Sequence, residues 1–204
     1  MFYIGNVLIP EKTVLAPLAG ITSLPMRLMA KEEGCGLVCT EMISSNGLFY
    51  NSERTWEMLE SSPEEKPLSV QIFGSIPETM AYAAAKVEEH GADIIDINFG
   101  CPVKKVVNTM AGSALMRDEP LAVAIMDSVA RAVSIPVTVQ MRLGWDDTNL
   151  NAPKLARMAQ DVGVKMITVH GRTRCQLYNG SANWDAVACV KDAVTIPVIV
   201  NGDI

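Results

Sequence analysis

Seven short runs rich in valine, isoleucine and leucine recur along the chain at nearly even spacing, with amphipathic segments between them, and no other feature narrows the possible folds so far. The runs are Thr13–Ala16, Leu37–Thr40, Leu68–Phe73, Ile94–Asn98, Val137–Met141, Met166–His170 and Val198–Asn201. Helices are expected near Leu24–Glu33, Ile76–Glu89, Pro120–Val133, Asn151–Asp161 and Asn183–Ala193, with a less regular segment over Asn51–Leu59. Glycine stops and proline-led strands, as at His90-Gly91, Val162-Gly163, Ile135-Pro136 and Ile196-Pro197, punctuate the repeat. Repeated βα units of this kind predict an α/β fold, a TIM (β/α)8 barrel that stops after its seventh strand. An eighth strand and the last two helices of a closed barrel are not in the sequence, which leaves an open sheet edge. Either the chain is part of a longer protein or another chain supplies the rest. No linker or short repeat marks a second domain, so residues 1–204 read as one barrel domain.

At 204 residues, 49% hydrophobic and 20% charged, the chain has enough apolar material for one large core, and disorder is not expected. Its apolar stretches are too short and too interrupted to span a bilayer, and the N-terminus has no basic region followed by a long apolar run and a cleavage site. The expectation is a soluble cytoplasmic protein. Cysteines at 35, 39, 101, 175 and 189, with no CxxC pair and only two histidines, point to reduced thiols rather than a disulfide scaffold or a structural zinc site. A net charge of −6 argues against a general nucleic-acid binder but leaves room for a locally basic face.

The C-terminal ends of the seven runs gather a distinct set of residues: Pro17-Leu18-Ala19-Gly20, Glu41, Gln71, Asn98 with Cys101, Gln140 with Arg142, His170-Gly171-Arg172 and Asn201-Gly202-Asp203. In an α/β barrel these ends share one mouth, where chemistry sits, whereas the barrel interior favours branched aliphatics. Cys101 follows a buried run and precedes Pro102, which ends the strand and puts the thiol on a tight turn. Position is what separates it from Cys35, Cys39 and Cys189, whose apolar surroundings suggest small buried hydrophobes. Cys175 lies in a polar loop beside Arg174 and need have no role. His90 precedes Gly91 and reads as a helix-end cap; His170 ends a strand and reads as functional. Lys104, Lys105, Arg142, Arg172 and Arg174 fall in or next to the strand-end loops, which in an acidic chain suggests an anionic ligand. The twelve methionines fall on apolar positions and read as core filling.

Seven motifs in order carry a resemblance: LAPLAGITSLPMR from Leu15, TEMISSNGL from Thr40, VQIFGS from Val70, DINFGCPVKKV from Asp96, AGSALMRDEP from Ala111, TVHGRTRCQLYNG from Thr168 and IPVIVNGDI from Ile196. The chain resembles the tRNA-dihydrouridine synthases and looks most like the bacterial B-type. The resemblance implies an FMN-dependent barrel that reduces the C5=C6 bond of tRNA uridines, with NADPH reloading the flavin. It implies that Cys101 is the acid that delivers a proton to C5, which suits a thiol that stays protonated. The same resemblance places Pro17, Leu18, Ala19, Gln71, Gln140, His170, Asn201, Gly202 and Asp203 around the flavin. It places Asn98, Arg142 and Arg172 toward the substrate. The target nucleotide has to leave its stack to enter the mouth.

The chain departs from the family pattern at Gln140, where a lysine is usual, and a glutamine offers a hydrogen bond there but no charge. Arg142, two residues on, points to the same face. Leu18 and Phe99 replace usual methionines. A second phosphate-binding turn and a helical C-terminal domain that grips tRNA would lie beyond Ile204. Two other readings stay open on the sequence: a flavin barrel acting on a free pyrimidine, like the dihydroorotate dehydrogenases, and a catalytically silent truncated barrel that binds RNA or a protein partner.

Overall fold

The computed structural model describes residues 1–204. It opens with an antiparallel hairpin, β1 (Phe2–Ile4) and β2 (Val7–Ile9), closed by the two-residue turn Gly5-Asn6. Ile4 and Ile9 are fully buried against Leu37, Ile94 and Met166, which lie at the N-terminal ends of barrel strands, so the hairpin plugs the bottom of the molecule. The sequence reading missed this element.

The barrel strands are β3 (Val14–Leu15), β4 (Leu37–Cys39), β6 (Leu68–Phe73), β7 (Ile94–Phe99), β8 (Val137–Arg142), β9 (Met166–His170) and β10 (Val198–Asn201). They pair in parallel and in chain order, with the short β5 (Ile43–Ser44) also on β6. Neighbours in space that are neighbours in sequence define a singly wound sheet, as the repeat predicted, and three of the seven runs match residue for residue. The sheet curls until its two edge strands face a common interior void of about 40 Å³, lined by Val14 and Ala16 from one edge and Ile199, Val200 and Asn201 from the other.

Helices α1 (Leu24–Glu32), α4 (Pro77–Glu89), α6 (Glu119–Ala132), α7 (Ala152–Asp161) and α8 (Trp184–Ala193) cover the outside. Asp118 caps α6 by accepting from the Leu121 amide, and Asn183 caps α8 through Ala186. The inner face of α6 is the stripe Ala122, Ile125, Met126 and Val129, at helical spacing. The connection after β5 is more ordered than expected, forming α2 (Ser45–Phe49) and α3 (Glu53–Glu57), and the loop after β7 carries α5 (Lys104–Val107) and a 3-10 turn over Gly112–Arg117. Before β6, Glu65 is buried and paired with the buried Arg27 of α1, whose guanidinium also donates to the Thr22 and Glu60 carbonyls. The pair fixes the helix that follows the first strand.

Two readings need correction. Cys39 is buried and Cys35 half-buried, but Cys189 is exposed, because α8 buries Val187 and Val190 and position 189 lies off that stripe. Of the twelve methionines only Met80, Met116, Met126, Met141 and Met166 are buried in the core, and Met1, Met29 and Met110 are exposed.

Candidate active site

Strand register stacks the inward-facing polar residues in tiers. Gln71 of β6 lies beside Asp96 of β7 and Asp96 beside Thr138 of β8; above them Asn98 pairs with Gln140, and at the top Arg142 pairs with His170 and His170 with Asn201. A layer expected to be aliphatic is thus a polar floor, and its hydrogen bonds run in one direction. Asp96 accepts at one carboxylate oxygen from Thr138 Oγ1 (2.6 Å) and at the other from Gln71 Nε2 (2.6 Å). Gln71 Nε2 also donates to Gln140 Oε1 (2.8 Å), and Gln71 Oε1 accepts from Asn98 Nδ2 (2.8 Å). Asn98 Oδ1 then accepts from the amides of Gly100 and Cys101 (3.3 and 2.9 Å). An ionised carboxylate can only accept, so Asp96 sets the polarity of three side-chain amides in turn. The consequence at the top is that Gln140 turns its oxygen inward and its Nε2 has no protein partner, while Asn98 holds the turn that carries the thiol.

That turn is gripped from both sides. The Cys101 carbonyl accepts from the Ser113 amide and hydroxyl (3.0 and 2.8 Å), and Arg142 Nε donates to the Gly100 carbonyl (2.9 Å). Gly112 makes the close approach possible: its φ is +60°, and a Cβ there would lie 2.8 Å from the Cys101 carbonyl oxygen. Burial raises the Cys101 pKa above its ordinary value, against smaller opposing effects of the Val103 amide and of Arg142. The thiol is therefore protonated at neutral pH.

Above the floor opens a cavity of about 420 Å³. Pro17, Leu18, Ala19 and Ile21 form one apolar side; Cys101, Pro102 and Val103 form another; Asn98, Gln140, Arg142, His170, Asn201 and Tyr178 complete it. Of the residues expected around the mouth, the structure brings together Pro17, Leu18, Ala19, Asn98, Cys101, Gln140, Arg142, His170 and Asn201. It places Gln71 beneath them, fully buried, with the nitrogen and oxygen of its side-chain amide both spent within the floor. Arg172, Gly202 and Asp203 do not line the cavity. Arg172 is buried and donates to both Asp203 oxygens (2.6 and 2.7 Å) and to the Asn179 and Gly180 carbonyls, so it ties down the strand-end loops. Gly202 backs His170: with φ +101°, it lets the chain pass where a Cβ would lie 3.1 Å from the imidazole Cε1.

His170 is pushed down to about 4 by burial first and then by Arg142 and Arg172, so its ring is neutral at pH 7. Its Nδ1 is buried without a partner. Arg142 spends two of its nitrogens on the Gly100, Thr173 and Leu177 carbonyls, and its guanidinium lies 5.6 Å from the centre of the Tyr178 ring. Tyr178, which the sequence reading did not single out, sits edge-on to His170 (6.3 Å between ring centres); the only signal for it was its place in the quoted loop motif. A larger, more open cleft of about 660 Å³ lies at the other end, against the Gly5-Asn6 turn and the starts of β8 and β9. It has none of the converging strand ends, and the mouth is the candidate site.

Fold and site together describe a (β/α) barrel whose mouth offers one protonated thiol, neutral amides and an apolar wall. Solved structures confirm the fold: histamine dehydrogenase from Rhizobium sp. 4-9 superposes with a TM-score of 0.70 over 98% of this chain and 41% of that one at 12% identity, and nitroalkane oxidase from Streptomyces ansochromogenes with 0.53 over 97% and 60% at 18%. The chain belongs to the dihydrouridine synthase family, whose model matches residues 14–204. It is 50% identical over its full length to a probable tRNA-dihydrouridine synthase of Rickettsia prowazekii (63% of that protein) and 47% identical over 98% of its length to tRNA-dihydrouridine synthase B of Pseudomonas aeruginosa (60% of that protein). The chain thus spans about 60% of the length of the curated relatives it matches. No helix is long and apolar enough to cross a membrane.

Proposed function

We propose that the mouth binds FMN and a tRNA uridine, and that the protein reduces the uridine C5=C6 bond to dihydrouridine in the cytoplasm, with NADPH as the reductant. The observation that carries this reading is the Cys101 thiol, held protonated on a turn fixed by Asn98, Ser113 and Arg142 at the edge of the cavity.

The residues present suit a planar heteroaromatic cofactor. Pro17, Leu18 and Ala19 offer an apolar side, Gln140 Nε2 is a donor without a protein partner, and the unpaired Nδ1 of neutral His170 is a polar atom left for a bound group to satisfy. FMN, once reduced, supplies the hydride that reaches uracil C6. The chain supplies the rest. Cys101 gives its proton to C5 and is left as a thiolate that solvent reprotonates. Asn98 keeps the thiol in place, Arg142 holds the two loops flanking it, and Gln140 presents N–H to the cofactor edge without a full charge. Asn201 closes the wall beside His170.

The test is Cys101→Ala assayed on unmodified tRNA with FMN and NADPH. We expect flavin binding and flavin reduction to stay at the parent level while dihydrouridine formation falls about 10²–10⁴-fold, the range of a lost general acid. Formation at the parent rate would overturn the assignment, and turnover of free uracil would move the substrate to a free pyrimidine.

A further inference from the structure

A second hollow of about 360 Å³ adjoins the mouth. It is lined by Pro102, Val103, Lys104, Arg174, Cys175, Leu177 and Tyr178, and it shares Pro102, Val103 and Tyr178 with the mouth as a common wall. The mechanism above uses neither its cations nor its outer apolar wall. Tyr178 is 72% exposed, Val103 56% and Leu177 41%, so an aromatic ring and two aliphatic side chains stand bare around a basic hollow.

Its cations are unspent. Lys104 and Arg174 make no ion pair and no side-chain hydrogen bond, and Arg174 Nε is buried without a partner. Backbone bonds from Arg174 to the Gly144 carbonyl and from Cys175 to the Trp145 carbonyl fix this loop. The Arg174 guanidinium then lies 4.7 Å from the centre of the Trp145 ring, which Arg117 also covers at 4.6 Å. The neighbouring carboxylate, Asp146, is engaged by the Thr148 hydroxyl and amide. In a chain of net charge −6, two cations are held ready beside an exposed ring, next to the mouth.

We propose that this hollow is a second nucleotide site, which seats the RNA residue adjoining the one in the mouth, its phosphodiester between Lys104 and Arg174 and its base against Tyr178 and Val103. The Pro102-Val103 wall shared by the two hollows puts this one within reach of the phosphate next to a base turned into the mouth, and cations with an aromatic platform are the usual means of holding a single strand without reading its sequence. The inference rests on the mouth being a uridine site.

The experiment is calorimetric titration of the full chain with uridine 5′-monophosphate and with a uridine trinucleotide, in the presence of FMN, with flavin fluorescence recorded on the same samples. We expect the trinucleotide to bind about ten-fold tighter or more. Lys104→Ala/Arg174→Ala should remove most of that gain without changing mononucleotide affinity, and should lower the log–log salt slope by about 0.7, one phosphate on a single strand. Arg174→Lys should retain most of the gain. Equal affinity of the two ligands for the parent, a gain that survives the double variant, or no trinucleotide binding at all would overturn the second site. Flavin fluorescence reports separately on the mouth: trinucleotide binding that depends on Lys104 and Arg174 without flavin uptake would uphold the hollow and sink the FMN reading.

Discussion

The floor of the mouth and its rim are both polar, but they are built on opposite terms. In the floor, Asp96, Thr138, Gln71, Asn98 and Gln140 satisfy one another, and only Gln140 Nε2 is left over. On the rim, Lys104, Arg117 and Arg174 lie without a carboxylate partner, two of them over one indole. Closed hydrogen-bond networks fix geometry, whereas unpaired cations are attracted to an anion that arrives later. Substitutions that leave a floor partner unsatisfied should therefore cost stability, and those on the rim should cost ligand affinity alone.

The largest effect is expected at Gln71. Gln71→Leu strips partners from Asp96, Asn98 and Gln140 together, and at about 1–3 kcal/mol per abandoned buried group the fold should lose at least about 3 kcal/mol. Urea denaturation should show this as a lower midpoint at unchanged slope. A loss below about 1 kcal/mol would mean the floor is not the closed network described. Gly112→Ala comes next: the left-handed backbone alone costs about 1–2 kcal/mol, and the contact with the Cys101 carbonyl adds to it. Because the turn must move to relieve that contact, dihydrouridine formation should fall further than flavin affinity.

The floor explains why part of this site was hidden in the sequence. Cys101 and the strand-end residues were legible because position along a βα repeat already decides which end of the sheet they occupy. Asp96 and Thr138 sit inside runs that pattern as buried strands, and nothing in Asp96-Ile97-Asn98 says that the aspartate meets Gln71 on one side and Thr138 on the other. That knowledge lives in the register between strands. Arg172 shows the same limit. It stands two residues past the end of β9, but the side chain turns away from the cavity to Asp203, a partner 31 residues away. The Phe2–Ile9 hairpin escaped because each strand is only three residues long, although Gly5-Asn6 between apolar residues was its signal.

A smaller effect is expected in pH dependence, where the floor and the wall above it oppose each other. Burial pushes Asp96 from 3.8 up to about 6, so between those values the folded chain holds a proton the unfolded chain has released, and stability rises as pH falls. His170 is pushed from 6.5 down to about 4, so there the unfolded chain binds the proton first, and stability falls as pH falls. The windows overlap between about pH 4 and 6, and the two contributions offset each other there. Asp96→Asn should be tolerated at pH 7 within about 1 kcal/mol, because its amide oxygen can face Gln71 while the Thr138 hydroxyl turns to the Ile95 carbonyl. From pH 6 to 4 that variant should lose stability more steeply than the parent, and His170→Gln less steeply. Parent-like slopes in both variants would contradict the opposition.

The smallest effect separates the two regions most sharply. Arg174 stacks on Trp145, and such a contact at a partly exposed site contributes about 0.5–1 kcal/mol. Against it stands repulsion: Arg172 and Arg174 both disfavour the charge on Arg142. Arg174→Gln removes the attraction and the repulsion together, so stability should stay within about 0.5 kcal/mol of the parent. Added salt should lower the variant relative to the parent, since it screens the repulsion that offsets the lost stack. A loss of about 2 kcal/mol or more would make the Arg–Trp stack a structural tie like the floor below it, well beyond an exposed cation–aromatic contact. A neutral result leaves an arginine that the fold does not need, held at the edge of a cavity where a phosphate would have use for it.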